Sequence, residues 1–203
     1  MAKIKLTKTE MKAQQDALKQ FQRFLPTLQL KKQQLQMEIR GSLERLQINE
    51  AEYKRVLDDL QDWIALFGDD AAAERLGGIV QLVKVISETW NIAGVEVPVF
   101  KDAEFKIADF DLYAEEPWFE DAVAAIRELI MLVESGKLIK EQHRLLHQEL
   151  VTTTQRVNLF EKVKIPEARE NIRRIRIYLS DMDTSSVARS KIAKKKSQEV
   201  NAA

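Results

Sequence analysis

His143 and His147 stand four residues apart, a spacing that puts two imidazoles on one helix face and that zinc sites use. No HExxH pattern accompanies them and the chain has no cysteine, so they read as ordinary helix-surface histidines. As they are the only two histidines, a Ser-His-Asp triad has little support. The acid pairs Asp69-Asp70, Asp109/Asp111 and Glu115-Glu116 lack the ligand count and spacing that Ca²⁺ needs, and read as solvated loop charge. No G-x-x-x-x-G-K-[ST] loop is present to cradle a phosphate, and Gly77-Gly78 reads as a hinge. The basic clusters Lys31-Lys32 and Lys194-Lys195-Lys196 lack interleaved aromatics or a nucleic-acid-reading module. They read as solvated helix faces, with contact to an acidic protein surface as the other option. These residues point to a chain with no catalytic site, no cofactor and no metal.

Charge sharpens this picture. Lys plus Arg number 32 and Asp plus Glu number 32, so the chain as a whole favours neither nucleic acid nor a membrane surface. The distribution is uneven: residues 1–35 carry a net +6, residues 184–203 a net +4, and residues 90–121 a net −7. The lack of cysteine suits a reducing compartment, and no run approaches the length of a membrane span, so no membrane insertion is expected.

The element that must position everything else runs from Leu18 to Phe67. Alternating steps of three and four land on Leu18, Phe21, Leu25, Leu28, Lys32, Leu35, Ile39, Ser42, Leu46, Asn49, Tyr53, Val56, Leu60, Trp63 and Phe67. Only Lys32, Ser42 and Asn49 are neither apolar nor aromatic, so the stretch predicts a coiled-coil seam. A helix of that length spans roughly 75 Å and cannot bury its stripe alone. Pro26 predicts a kink within it, not a stop, and Gly41 is a further weak point.

Between Ile79 and Trp90 the residues turn β-branched without a helical period, and Asn91-Ile92-Ala93-Gly94 reads as a turn. Val95, Val97 and Val99 then alternate as a half-exposed strand that Pro98 marks as an edge, and Phe105-Lys106-Ile107 suggests a short third strand. Pro117 suits the start of a second helical region, with Glu120 and Asp121 in its first turn. Its stripe runs through Phe119, Ala122, Ile126, Leu129 and Val133, with a break or bend expected at Ser135-Gly136. It resumes at Leu146, Leu150, Thr153, Val157 and Phe160, slips by one residue at Ile165 beside Pro166, and continues through Ala168, Ile172, Ile175, Leu179 and Met182. A local change of supercoil is expected at the slip.

The fold predicted is therefore mainly α. A long antiparallel two-helix coiled coil forms from the N- and C-terminal regions, with a small β-hairpin and short-helix module in the middle. The segments are 1–67, a helix; 68–116, linker and hairpin module; 117–183, the C-terminal helices; and 184–203, a Ser/Lys/Ala-rich basic tail that reads as frayed or extended. Antiparallel pairing would place the basic ends together and the acidic module at the opposite end.

Thr152–Pro166 reads TTTQRVNLFEKVKIP and resembles the C-terminal signature of the D subunit of the A/V-type rotary ATPases, approximately T-x-R-R-V-N-A-L-E-x-V-x-I-P. Arg156, Val157, Asn158, Glu161, Val163, Ile165 and Pro166 stand at the matching places. Asn91–Pro98, NIAGVEVP, is similar to the family's N-I-M-G-V-x-V-P, matching at Gly94, Val95, Val97 and Pro98. Leu6–Glu10 is similar to its P-T-K opening, with Lys8 at the lysine. The chain departs from the family at Phe24, where a small residue is usual, and at Asp181–Ser186, where the family is rich in Glu and Arg.

The resemblance implies a non-catalytic central shaft, cytoplasmic and peripheral to the membrane, coupling ATP hydrolysis or synthesis to ion translocation. The partners it implies are the A and B subunits of the catalytic ring, the F subunit, and the protein coupling the shaft to the membrane rotor. A prefoldin-like chaperone also joins two coiled-coil helices through β-hairpins, but needs less helix than this chain holds. A phage-shock-type membrane-remodelling scaffold would need a longer and less polar N-terminal amphipathic segment than Met1–Glu10.

Overall fold

The computed structural model describes residues 4–64, 78–108 and 119–201. The positions Phe67, Gly68-Asp69-Asp70, Gly77, Asp109/Asp111, Glu115-Glu116 and Pro117 lie outside the described residues, as does the side chain of Trp63.

Helix α1 spans Lys8–Ile64. Thr7 starts it: its Oγ1 accepts from the Glu10 amide at 3.2 Å and its carbonyl from the Met11 amide at 3.0 Å, satisfying donors that a helix start leaves open. The helix continues through Pro26 and Gly41. Every seam position from Leu18 to Leu60 is buried or half-buried, whereas Phe24, Leu30, Met37 and Ile48 between them are exposed.

Strands β1 (Val80–Ile92) and β2 (Val95–Ile107) form one antiparallel hairpin with Val80 opposite Ile107 and Ile92 opposite Val95. Two residues, Ala93 and Gly94, make the turn with φ of 52° and 79°. Left-handed angles at both positions match the right-handed twist of the strands, which is why such two-residue turns are favoured in hairpins. Asn91 helps hold the turn, its Oδ1 accepting from the Gly94 amide at 3.0 Å. Register shifts fall between Leu82 and Lys84 and between Ile86 and Ser87. These irregularities explain the lack of a clean period in the first strand. They also correct the expectation of a third strand: Phe105-Lys106-Ile107 is the end of β2, which bends without breaking.

Helix α2 spans Phe119–Leu159, passing unbroken through Ser135-Gly136. It leads into a π-helical turn, Phe160–Lys164, and then α3, Ile165–Asn201. In the π turn the Ile165 amide donates to the Phe160 carbonyl, five residues back. A π turn accommodates one residue more than an α turn. That residue is the slip in the heptad pattern, and both flanking positions still face the seam, Phe160 half-buried and Ile165 buried. The turn also comes where Pro166 has no amide to offer.

The tail departs from expectation. Instead of fraying or extending after Asp183, the chain stays helical to Asn201. Residues 181–198 are all exposed, so burial does not hold this stretch. Its Ala, Lys, Arg and Gln content has strong helix propensity. Hydroxyls that could compete with the backbone instead bond back into the helix, Thr184 to the Ser180 carbonyl and Ser190 to the Ser186 carbonyl, both at 2.9 Å.

The chain divides into two compact units, residues 1–31 with 153–203, and residues 32–152. Each long helical region therefore contributes to both, unlike the segments drawn from sequence. In the first unit Phe21 packs on Phe160, ring centroids 5.2 Å apart, and the Asn171 amide nitrogen lies 3.4 Å from Gln14 Oε1. Moving forward along α1 meets residues further back along the other strand of the pair, so the pairing is antiparallel. In the second unit α1 and α2 pair in the same sense: Leu35 meets Leu146, Ser42 meets His143, and Glu50 approaches Lys140 at 3.8 Å.

The hairpin is part of the second unit's core. Val97, with no exposed surface, joins the equally buried Leu35 and Leu146, and Ile92, Ala93 and Val95 at the tip pack around them. Toward its open end Val80 and Phe105 pack with Phe119, Ala122 and Val123 of α2. The hairpin is laid along two helices, because a two-stranded sheet has one face to bury and the helices supply the surface.

Candidate docking surfaces

His143 is half-buried in the α1–α2 seam, with Nδ1 3.1 Å from Ser42 Oγ, and that hydroxyl lies 2.8 Å from the Ile39 carbonyl. The ring thus serves to satisfy a fully buried serine at a seam position. His147 is exposed, its ring centroid 6.3 Å from that of His143. Among the described residues, no group of three or more His, Cys, Asp or Glu could hold a metal ion.

The matched motif residues divide sharply. Val157 and Ile165 are buried in the seam, whereas Arg156, Asn158, Glu161 and Pro166 are exposed on the turns around the π segment. Val163 within that segment is also exposed, at 48%. A single motif therefore holds the helix pair together with one face and presents charge, amide and an exposed valine with the other. Lys8, the first residue of α1, is exposed as well.

In the second unit Gly94 makes the hairpin turn, Val95 and Val97 anchor the tip, and the Pro98 carbonyl accepts from Gln142 Nε2 at 2.6 Å. Pro98 sits in a two-stranded sheet in which both strands are edges, so its missing amide is tolerated. Gln142 is only 4% exposed. Sequence reasoning missed it: a polar residue in a helix carries no signal until the strand opposite is known. Beside this clamp lies a groove of about 490 Å³ lined by Trp90, Ile92, Val99, Phe100 and Ile139, with Glu38, Arg45, Ser135 and Gln142 as its polar members. Trp90 is 57% exposed at its edge. A concave apolar surface with a half-exposed tryptophan and a few polar groups has the make-up of a protein-docking site.

Surface charge is organised into local pairs. Lys101 of β2 bonds Glu88 across the hairpin, holding that carboxyl below its ordinary range and the ammonium above its own. Arg144 forks onto Glu141 at 2.8 and 2.6 Å and lowers its pKa in the same way. Glu170 accepts from both Arg173 and Arg174, and those hydrogen bonds, Arg173's first, depress its pKa. All lie at the surface, so they orient side chains more than they stabilise the fold.

Comparison with known proteins gives one consistent result. The family described as the D subunit of ATP synthase matches residues 10–195. The V-type ATP synthase D subunit of Borreliella burgdorferi is 42% identical over 194 residues, covering 96% of this chain and 95% of that protein. The protein of the same description from Chlamydia pneumoniae is 30% identical over 193 residues, covering 95% and 92%. That from Chlamydia felis is 31% identical over 198 residues, covering 98% and 95%.

Proposed function

Because the chain belongs to the ATP synthase D-subunit family, whose members are central-stalk components of rotary ATPases, we propose that it is the non-catalytic shaft of such a complex. The observation that carries this reading is the division of labour along the paired helices. The heptad stripe is spent inward on the antiparallel partner, leaving outward faces that are mainly polar and charged, with scattered apolar side chains such as Leu30, Met37 and Ile48 among them. Two helices locked along a seam resist twisting better than either alone, as a torque-bearing element must. An outer face of short-lived polar contacts lets the shaft turn in a sleeve without one deep minimum.

Within this reading the A and B subunits of the catalytic ring surround the first unit, with Lys8, Arg156, Asn158, Glu161 and Pro166 at the contact. Val157 and Ile165 hold the helix pair that presents them. Gly94, Val95, Val97 and Pro98 shape the hairpin that receives the F subunit and the rotor-coupling protein, and the groove beside Trp90 is the surface offered. The chain works in the cytoplasm at the membrane periphery; no helix among the described residues is long and apolar enough to cross a membrane.

The test is reconstitution. An ATPase complex assembled without this chain should retain some ATP hydrolysis in its ring but move no ions, and adding the chain back should restore coupling. Saturable nucleotide binding to the isolated chain, or full coupling in its absence, would overturn the proposal.

A further inference from the structure

The two compact units carry opposite charge. Residues 1–31 and 153–203 hold nineteen Lys and Arg against eight Asp and Glu, and residues 32–152 hold thirteen against twenty-four. Overall neutrality therefore conceals a unit of +11 and a unit of −11. Fields of that size steer association far beyond contact distance at low salt.

The basic unit also contains a shaped site. A groove of about 290 Å³ has Leu18, Ile172 and Ile177 as its apolar lining, with Arg169, Arg173 and Arg176 among them. Arg173 is engaged, donating to Glu170 through both Nε and Nη2, and Arg174 turns to the same carboxylate. Among the described residues, neither Arg169 nor Arg176 has an acidic partner. Two uncommitted guanidiniums therefore flank a patch where Ile177 is 52% exposed. A guanidinium offers a planar pair of donors matched to a carboxylate, so this arrangement selects for acid beside an apolar side chain.

We propose that the groove docks an acidic segment of an encircling ring protein, its carboxylates on Arg169 and Arg176 and one apolar side chain on Leu18, Ile172 and Ile177. The inference rests on the central-stalk reading and adds the chemistry of the contact. A single-stranded nucleic acid fits less well, since none of the lining side chains is an aromatic on which a base could stack.

The experiment uses the full-length chain and a purified ring of A and B subunits, with association and dissociation rates measured at low and high salt. Arg169→Glu with Arg176→Glu should slow association by about tenfold or more at low salt, with the difference shrinking as salt rises. Arg169→Lys with Arg176→Lys should keep most of the association rate but speed dissociation, because a lysine cannot make the forked contact. Ile177→Ala should speed dissociation without changing association. Circular dichroism of each variant should match the parent.

The proposal is overturned if charge reversal leaves both rates unchanged while the parent binds. It is equally overturned if Lys194→Ala, Lys195→Ala and Lys196→Ala together slow binding as much, which would make total charge the cause. Displacement of the ring by oligothymidylate or phosphatidylserine vesicles as effectively as by polyglutamate would also overturn it, by showing a general polyanion surface. Failure of the parent chain to bind the ring at any salt would instead count against the central-stalk reading itself.

Discussion

Asn49 of α1 lies against Gly136 of α2 so closely that a Cβ built on the glycine would sit 2.8 Å from the asparagine Oδ1. A polar residue at a seam position and a glycine inside a long helix are both locally unfavourable. Here they are one feature, the space beside the glycine holding the end of the asparagine.

The first prediction follows from that fit. In the parent chain Gly136→Ala must push the Asn49 carboxamide aside, which offsets the gain in helix propensity of about 1 kcal/mol. In an Asn49→Ala background the full gain should appear. A double-mutant cycle read by thermal or urea unfolding should show coupling of about 1 kcal/mol between the two sites. Simple additivity would show that the contact has no energetic consequence.

The π turn at Phe160–Lys164 supports a second prediction. Because it holds one residue beyond the α repeat, deleting Val163 can be absorbed by reverting to an α turn, leaving both flanking seams in place. Deleting Gln155, in regular α-helix ahead of the turn, rotates Val157 and its neighbours through about 100° relative to the seam before the π turn can absorb the change. The Val163 deletion should keep cooperative unfolding and the Gln155 deletion should lose it. Equal damage from both would mean the extra residue is not what the π turn stores.

This turn also shows how far the sequence could be read. Each position that the heptad pattern marked from Leu18 to Leu60 is buried or half-buried, because burial against one partner leaves a periodic apolar trace. The pattern did not reach back to Gln14, whose contact with Asn171 is polar. The slip at Ile165 was equally visible, but a missing residue in a repeat does not say whether the supercoil or the hydrogen bonding adjusts. Met182 continued the pattern on paper and is 44% exposed, because the antiparallel partner runs out near the start of α1 and a sequence cannot show where its partner ends. Gly94, Val95, Val97 and Pro98 were legible as a turn and strand, yet nothing in their own pattern placed Val97 against Leu35 and Leu146. The exposed half of the C-terminal motif could not be separated from its buried half until the π turn set their rotation.

A third prediction concerns that hairpin contact. Val97 is fully buried between the helices, so Val97→Ala should cost about 1–3 kcal/mol by loss of buried methyls and the space left behind. Val97→Asp would place a carboxylate with no partner at the same point and should abolish cooperative unfolding of this unit. Hydrogen exchange would show it, with protection lost around Leu35 and Leu146. If exchange there is unchanged, the hairpin is an appendage and not core.

The turn offers a gain instead of a loss. Ala93 holds φ at 52°, where its Cβ is crowded and glycine is not. Ala93→Gly should relieve that strain and raise stability by about 0.5–1 kcal/mol, against glycine's greater freedom in the unfolded chain and a small loss of packing around Ile92 and Val95. The unfolding midpoint in urea should rise without a change in slope. A lower midpoint would mean that those two costs outweigh strain at the tip.

The last prediction is a pH dependence in the basic unit. Hydrogen bonds from Arg173, and then Arg174, hold the Glu170 carboxyl below its ordinary value of 4.5, and the group lies at the surface. A carboxylate whose pKa is lower folded than unfolded contributes stability that is fully present above the unfolded value and lost as pH falls through the folded one. Glu170→Gln should therefore be slightly less stable than the parent at neutral pH, with the two thermal midpoints converging below pH 4.5. Added salt should narrow the neutral-pH gap, because an exposed ion pair is screened. A gap that widens on acidification has the wrong sign for this pairing and would show that Arg173 and Arg174 do not hold Glu170 in solution. Freed from Glu170, those two arginines would raise the positive charge beside Arg169 and Arg176, so the same variant should bind an acidic partner faster at low salt.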